Sequence, residues 1–123
     1  MKIVIATLSL ALVLVAGAAQ ASLVASGLRG VVMRGPISPM CVAEEPCTEP
    51  AANVSLLFSR NGRIVGRTVT DIAGRYRLRL PAGLYAVRRP GSVTIGRGME
   101  PDHARVYARR FVRVNFSIDT GIR

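Results

Sequence analysis

Apolar and polar residues alternate along this chain in short stretches, and turn residues interrupt the alternation about every ten positions. The cleanest stretch is Arg75–Leu80. Tyr76, Leu78 and Leu80 fall on one face and Arg75, Arg77 and Arg79 on the other, which is the period of two that a half-buried strand requires. Val54, Leu56 and Phe58 alternate in the same way. Asn61-Gly62 then supplies the dipeptide of a type I′ hairpin, whose two central residues need positive φ, and Ile64–Thr70 forms the return strand. Arg67 fits poorly there if Val65 and Val69 point inward, which predicts an edge position or a bulge. Asp71-Ile72-Ala73-Gly74 carries Asp first and Gly fourth, as a type I turn does. Leu80-Pro81-Ala82-Gly83 is a second such turn, ahead of a strand over Leu84–Val87. A last strand places Val112, Val114, Phe116 and Ile118 inward and Arg113, Asn115 and Ser117 outward, and Leu28–Met33 supplies an early one. Nothing in this pattern has a helical period. The expectation is an all-β chain folded as an antiparallel sandwich.

Within this pattern, Thr70-Asp71-x-x-Gly74-x-Tyr76, a short strand, and then Leu80-Pro81-x-Gly83-x-Tyr85 resemble the carboxypeptidase regulatory-like domain. That group of seven-stranded sandwiches is related to transthyretin (prealbumin) and to the Cna-B modules. The resemblance covers residues 28–88, including the strand Ala52–Phe58. It implies a transthyretin-like sandwich used as an accessory or adhesive module, in which Asp71, Gly74, Tyr76, Pro81, Gly83 and Tyr85 build turns and core. It carries no chemistry with it. Cna-B modules often cross-link a lysine to an asparagine, but the only lysine here is Lys2. The transthyretin-like hydroxyisourate hydrolases need several histidines and a C-terminal Tyr-Arg-Gly-Ser, whereas this chain has His103 alone and ends Thr120-Gly121-Ile122-Arg123. The zinc ligands of the metallocarboxypeptidases belong to a separate catalytic domain.

The N-terminus changes the picture of where the domain works. Met1-Lys2, an uncharged apolar run over Ile3–Ala16, and Ala19-Gln20-Ala21 follow the three-part pattern of a cleavable signal peptide. The run is 14 residues long, short of the roughly 20 that a spanning helix needs. The expected arrangement is a signal peptide over residues 1–21 and one domain over residues 22–123, secreted or periplasmic at the cell envelope, with no stable membrane span after cleavage. In an exported chain the two cysteines, Cys41 and Cys47, are expected to form a disulfide. They close a proline-flanked surface loop that carries Glu44 and Glu45, with Glu49 just beyond. A two-thiolate metal site would lack further soft ligands.

Candidate chemistry is sparse. Ile118-Asp119-Thr120-Gly121 has the local pattern of an aspartic protease, but only Ile122 and Arg123 follow it, too little to complete a core beneath the loop. Asp119 therefore reads as turn chemistry. Glu100, Asp102 and His103 read as a solvated loop, and the single histidine offers no triad. Gly91, Gly96 and Gly98 lie outside any strand–helix unit, so they form no phosphate loop. Asn53-Val54-Ser55 is formally a glycosylation sequon. The reading is a non-catalytic protein with no cofactor and no metal.

Charge is the remaining signal. The chain has 17 Lys and Arg against 7 Asp and Glu, a net +10; cleavage would remove Lys2 and leave 16 arginines, a net +9. Such a charge favours encounter with anionic polymers. Arg75, Arg77 and Arg79 form one candidate anion-binding row, and Arg109, Arg110 and Arg113, with Arg105, a second. Along the chain the charge is not concentrated, because residues 22–85 and 86–123 hold 8 arginines each, against 4 and 3 acids. Arginine-only cationic charge is also what a GC-rich genome would encode. Nucleic acid is not the expected partner, since Phe58, Tyr76, Tyr85 and Phe116 sit on core faces and offer no stacking platform. Tyr107 and Phe111 have no assigned place. The leading expectation is a binding module for an anionic envelope polymer. The alternative is a protein–protein module that docks through a sheet edge or the Cys41–Cys47 loop. Oligomeric state is not legible.

Overall fold

A computed structural model describes residues 24–91 and 98–122; the expected signal peptide lies outside them. The described residues form ten strands and no helix. β1 (Gly27–Gly35), β2 (Glu49–Pro50), β5 (Arg75–Arg79), β7 (Met99–Glu100), β9 (Phe111–Arg113) and β10 (Phe116–Asp119) make one sheet. β3 (Ser55–Arg60), β4 (Arg63–Val69), β6 (Gly83–Arg88) and β8 (His103–Val106) make the other, in the order β4-β3-β6-β8. The two sheets pack as a sandwich.

The long strand β1 organises the first sheet. On one flank it pairs antiparallel with β5 through its first half and with β2 through its end. On the other it pairs parallel with β9 and then β10, and β7 adds antiparallel to β10. The sheet is thus mixed, which corrects the expectation of a purely antiparallel sandwich, and the short β2, β7 and β8 take the count past seven strands. β9 and β10 keep one register against β1, from Gly27↔Phe111 to Val32↔Phe116. The single strand expected over Val112–Ile118 is interrupted at Val114 and Asn115. There the Val114 carbonyl and the Asn115 side chain lie so close to Gly30 that a Cβ at that position would collide with the Val114 oxygen and sit 2.9 Å from Asn115 Oδ1. Asn115 Oδ1 accepts the Val31 N–H at 2.9 Å, and the Tyr76 hydroxyl donates to the Val114 carbonyl at 2.5 Å. Side chains thereby satisfy backbone groups that the ladder leaves open.

In the second sheet, Asn61 and Gly62 both have positive φ in the β3–β4 hairpin. The pairing shifts register between Phe58 and Ser59, and Val65 is the extra residue. β4 is one of the two edge strands. It turns Gly66 and Thr68 toward the interior and leaves Ile64, Val65, Arg67 and Val69 exposed, so Val65 and Val69 do not point inward and the conflict with Arg67 does not arise. At the crossover to β5, Asp71 accepts from the N–H groups of Ala73 and Arg75 at 2.9 and 2.8 Å and pairs with the Arg75 guanidinium at 3.1 Å.

The core lies between the sheets. Phe58, Tyr76 and Phe116 meet with ring centroids 5.5–6.4 Å apart. Leu28, Val32, Leu56, Tyr85, Val106 and Ile118 close around them. Tyr85 also ties down its own turn, donating to the Pro81 carbonyl at 2.5 Å. Burial pushes the Tyr76 phenol above its ordinary value, so it serves as a neutral donor to Val114.

Two outcomes follow from this geometry. Gly30→Ala should destabilise the fold by about 1–3 kcal/mol, since the new Cβ meets backbone that cannot yield cheaply; an unchanged urea midpoint would refute the close approach. Hydrogen bonds from Arg75 and Ala73 and the Arg75 charge hold the Asp71 carboxyl below its ordinary 3.8. Its contribution to stability is therefore present above that value and lost as pH falls through the lower, folded-state value. Asp71→Asn should flatten the acid limb of the stability–pH curve while keeping the acceptor oxygen, and an unaltered limb would show that Asp71 contributes nothing there.

Candidate anion-binding face

Strand pairing decides which arginines become neighbours. The Leu80 N–H donates to the Ser26 carbonyl and the Val32 N–H to the Gly74 carbonyl. By the alternation of an antiparallel ladder, Gly27↔Arg79, Arg29↔Arg77 and Val31↔Arg75 are then the non-hydrogen-bonded pairs, the closer kind, about 4.5 Å between Cα atoms. On the far flank of β1, Arg29 stands opposite Arg113. Arg77, Arg29 and Arg113 thus form one row across three strands on the outer face, with Arg75 and Arg79 one step away along β5, about 6.8 Å at 3.4 Å per residue. Arg29 was not singled out by the sequence, because its opposition to Arg77 and Arg113 exists only once register is set.

The row is held by packing and is not neutralised. Phe111 lies across Gly27, where a Cβ would come within 2.6 Å of the ring, and the Arg77 guanidinium stacks 3.8 Å from the ring centroid. All seven acids are among the described residues. Only Arg75 of this group makes an ion pair, with Asp71; Arg29, Arg77, Arg79 and Arg113 make none among the described residues. Arg29, Arg75, Arg77 and Arg113 line a cleft of ≈ 430 Å³ together with Gly30, Val31, Thr68, Val69 and Tyr76, and with Asp71, whose carboxylate is engaged by Arg75. The arrangement offers several planar donor forks on a partly apolar floor, which suits carboxylate, phosphate or sulfate groups repeated along a chain.

The second expected arginine group does not assemble as one. Arg113 belongs to the β1 face. Arg109 sits in the β8–β9 turn at φ 64°, and Arg110 stacks over Tyr107 with its guanidinium 4.7 Å from the ring centroid. Arg105 faces outward from the other sheet, opposite Leu84, in a separate cleft with Arg60 and His103. Glu100 and His103 lie in strands and not in one loop. Asp102 meets His103 at 3.0 Å, and that hydrogen bond and the imidazole charge hold its carboxyl below the usual range. Among the described residues no group of three or more His, Cys, Asp and Glu converges as metal ligands would.

Cys41 and Cys47 are joined as a disulfide, which points to a non-reducing environment. No helix among the described residues is long and apolar enough to cross a membrane. The loop they close is exposed and ordered by the Ile37 N–H donating to Cys47 O at 2.9 Å and the Glu45 N–H donating to Val42 O at 3.1 Å. Comparison with known proteins adds no relative: no family model matches the chain, and no curated protein matches it.

The loop stands clear of the core, so Cys41→Ser with Cys47→Ser should cost about 2 kcal/mol of stability, the loop-entropy contribution of so short a ring. The far-ultraviolet circular dichroism of the sheets should remain. Loss of that spectrum would mean that the sandwich depends on the bridge.

Proposed function

We propose that this protein is an exported, non-catalytic binding module that holds anionic polymers of the cell envelope on its β1 face. The observation that carries the reading is the in-register row Arg77–Arg29–Arg113, flanked by Arg75 and Arg79, with four of these five making no ion pair among the described residues. Like charges at such spacing repel, and a bound polyanion relieves that repulsion at several positions at once. The apparent signal peptide and the disulfide suit a site outside the cytoplasm. The resemblance to carboxypeptidase regulatory-like domains suits an accessory role.

The test uses oxidised protein recovered from cells that export it, with immobilised dextran sulfate and polygalacturonate as probes at low and at physiological salt. The protein should still bind at physiological salt. Arg29→Gln/Arg77→Gln/Arg113→Gln should weaken binding at least tenfold, which corresponds to about 1.4 kcal/mol, whereas Arg88→Gln/Arg89→Gln should leave it nearly unchanged. Equal losses in the two variants would reduce the charge to composition and overturn the reading.

One observation favours a second reading. β4 has a partner on one side only and leaves Ile64, Val65 and Val69 exposed by 42%, 49% and 57%, an edge open to strand addition by another protein. Binding of a partner that salt does not weaken, and that Val69→Lys abolishes, would favour it.

A further inference from the structure

Charge that is spread evenly along the sequence is segregated by the fold. The C-terminal end of β1 gathers acids. Arg34 pairs with Glu49, Gly35 stands opposite Asp119, and Ser117 opposite Glu100. Asp102 meets the end of β6 through its carbonyl, which accepts from Val87 N–H at 2.8 Å. The disulfide loop, with Glu44 and Glu45, leaves and rejoins the sheet at this end. Six of the seven acids are therefore here, and Asp71 is the exception. The N-terminal end of β1 has Arg79 opposite Gly27 and Arg110 bonded beside it, with the Arg77–Arg29–Arg113 row one step inward; the one acid beside that row is Asp71, which is paired with Arg75.

We propose that copies of this protein associate through these two surfaces, the Cys41–Cys47 loop of one copy seating in the arginine cleft of another. The surfaces are complementary in charge and in apolar content. Glu44 and Glu45 make no ion pair among the described residues. Met40 and Val42 are 82% and 58% exposed beside them, and the cleft sets Val31 and Val69 among its arginines. The loop is stiffened by its disulfide and by Pro36, Pro39 and Pro46, so little ordering entropy opposes docking. Loop and cleft are different surfaces, which makes the contact heterologous. The inference goes beyond polymer binding and does not depend on it, although a polyanion and a second copy would compete for the same arginines.

Sedimentation equilibrium of the oxidised exported protein, with and without molar salt, tests this. Mass above the monomer is expected at low salt and the monomer at high salt. Glu44→Gln/Glu45→Gln and Arg29→Gln/Arg77→Gln/Arg113→Gln should each weaken association at least tenfold with unchanged circular dichroism, and their equimolar mixture should form a heterodimer through the one intact loop and the one intact cleft. Dextran sulfate should dissociate the wild-type assembly. A monomer at low salt, or two variants that associate like the wild type, or a mixture that stays monomeric, each overturns the proposal. The Glu44/Glu45 variant should lose association and keep dextran sulfate binding, whereas a wild-type protein that binds dextran sulfate but stays monomeric at low salt defeats this inference alone. Loss of polymer binding with association intact defeats only the polymer reading.

Discussion

Four of the five other strands in the larger sheet hydrogen-bond directly to β1, and β7 reaches it through β10. A strand paired on both flanks, with the ladder open only at Gly30 and Val31 on the β9–β10 side, leaves its backbone little freedom, so its side chains must accept whatever its neighbours impose. At Gly27 and Gly30 the neighbours take the space a Cβ would occupy. Parallel pairing to β9 and β10 on one side and antiparallel pairing to β5 on the other then fix which residues face the core together. Leu28 and Val32 meet Tyr76 and Phe116 across the sheet interior, and the aromatic cluster with Phe58 binds the second sheet to the first.

The same constraint makes the outer face. Inward apolar positions on β5, β1 and β9 force the alternate residues outward, and register then aligns Arg77, Arg29 and Arg113. No arginine–arginine attraction is involved. The core holds the charges together against their repulsion, at the high dielectric of the surface. Stacking of Arg77 on Phe111 reduces the freedom of one guanidinium further. A face assembled in this way keeps its geometry with or without a ligand.

Much of the strand pattern was legible because it is local. The alternation of Arg75–Leu80 and the turns at Asn61-Gly62 and Asp71–Gly74 depend on neighbours a few residues apart, and the close cysteine pair suggested its own bridge. What was not legible is what depends on pairing between distant segments. Parallel contact of β1 with β9 and β10 joins residues 84 apart, and no local pattern distinguishes it from antiparallel contact. Two-residue strands such as β2 and β7 are too short to show a period. The poor fit of Arg67 beside Val65 and Val69 did signal both the edge position and the bulge of β4, although alternation says which residues share a face and not which face is buried. Arg29 was missed for the same reason that Arg105, on the other sheet, was grouped with Arg113: proximity in sequence was the only proximity available.

Codon bias can account for how many arginines the chain carries, and for the near absence of lysine. It is blind to position in a fold. The informative residues are therefore the seven acids, which no bias toward arginine supplies. Spread along the sequence between Glu44 and Asp119, six of them converge on one end, where β2, β7 and β10 carry Glu49, Glu100 and Asp119 and the adjoining loops carry Glu44, Glu45 and Asp102, while Asp71 stays with Arg75. Acids dispersed among the arginines would lower self-repulsion at both ends and improve stability modestly. Only Asp71 stands beside the arginine row, paired with Arg75, so most of that repulsion stays in place and the fold sustains a positive field that scattered pairs would have cancelled. Such a field acts on long-range encounter with anions more than on stability, and a partner that is itself anionic is the kind of molecule on which it can act.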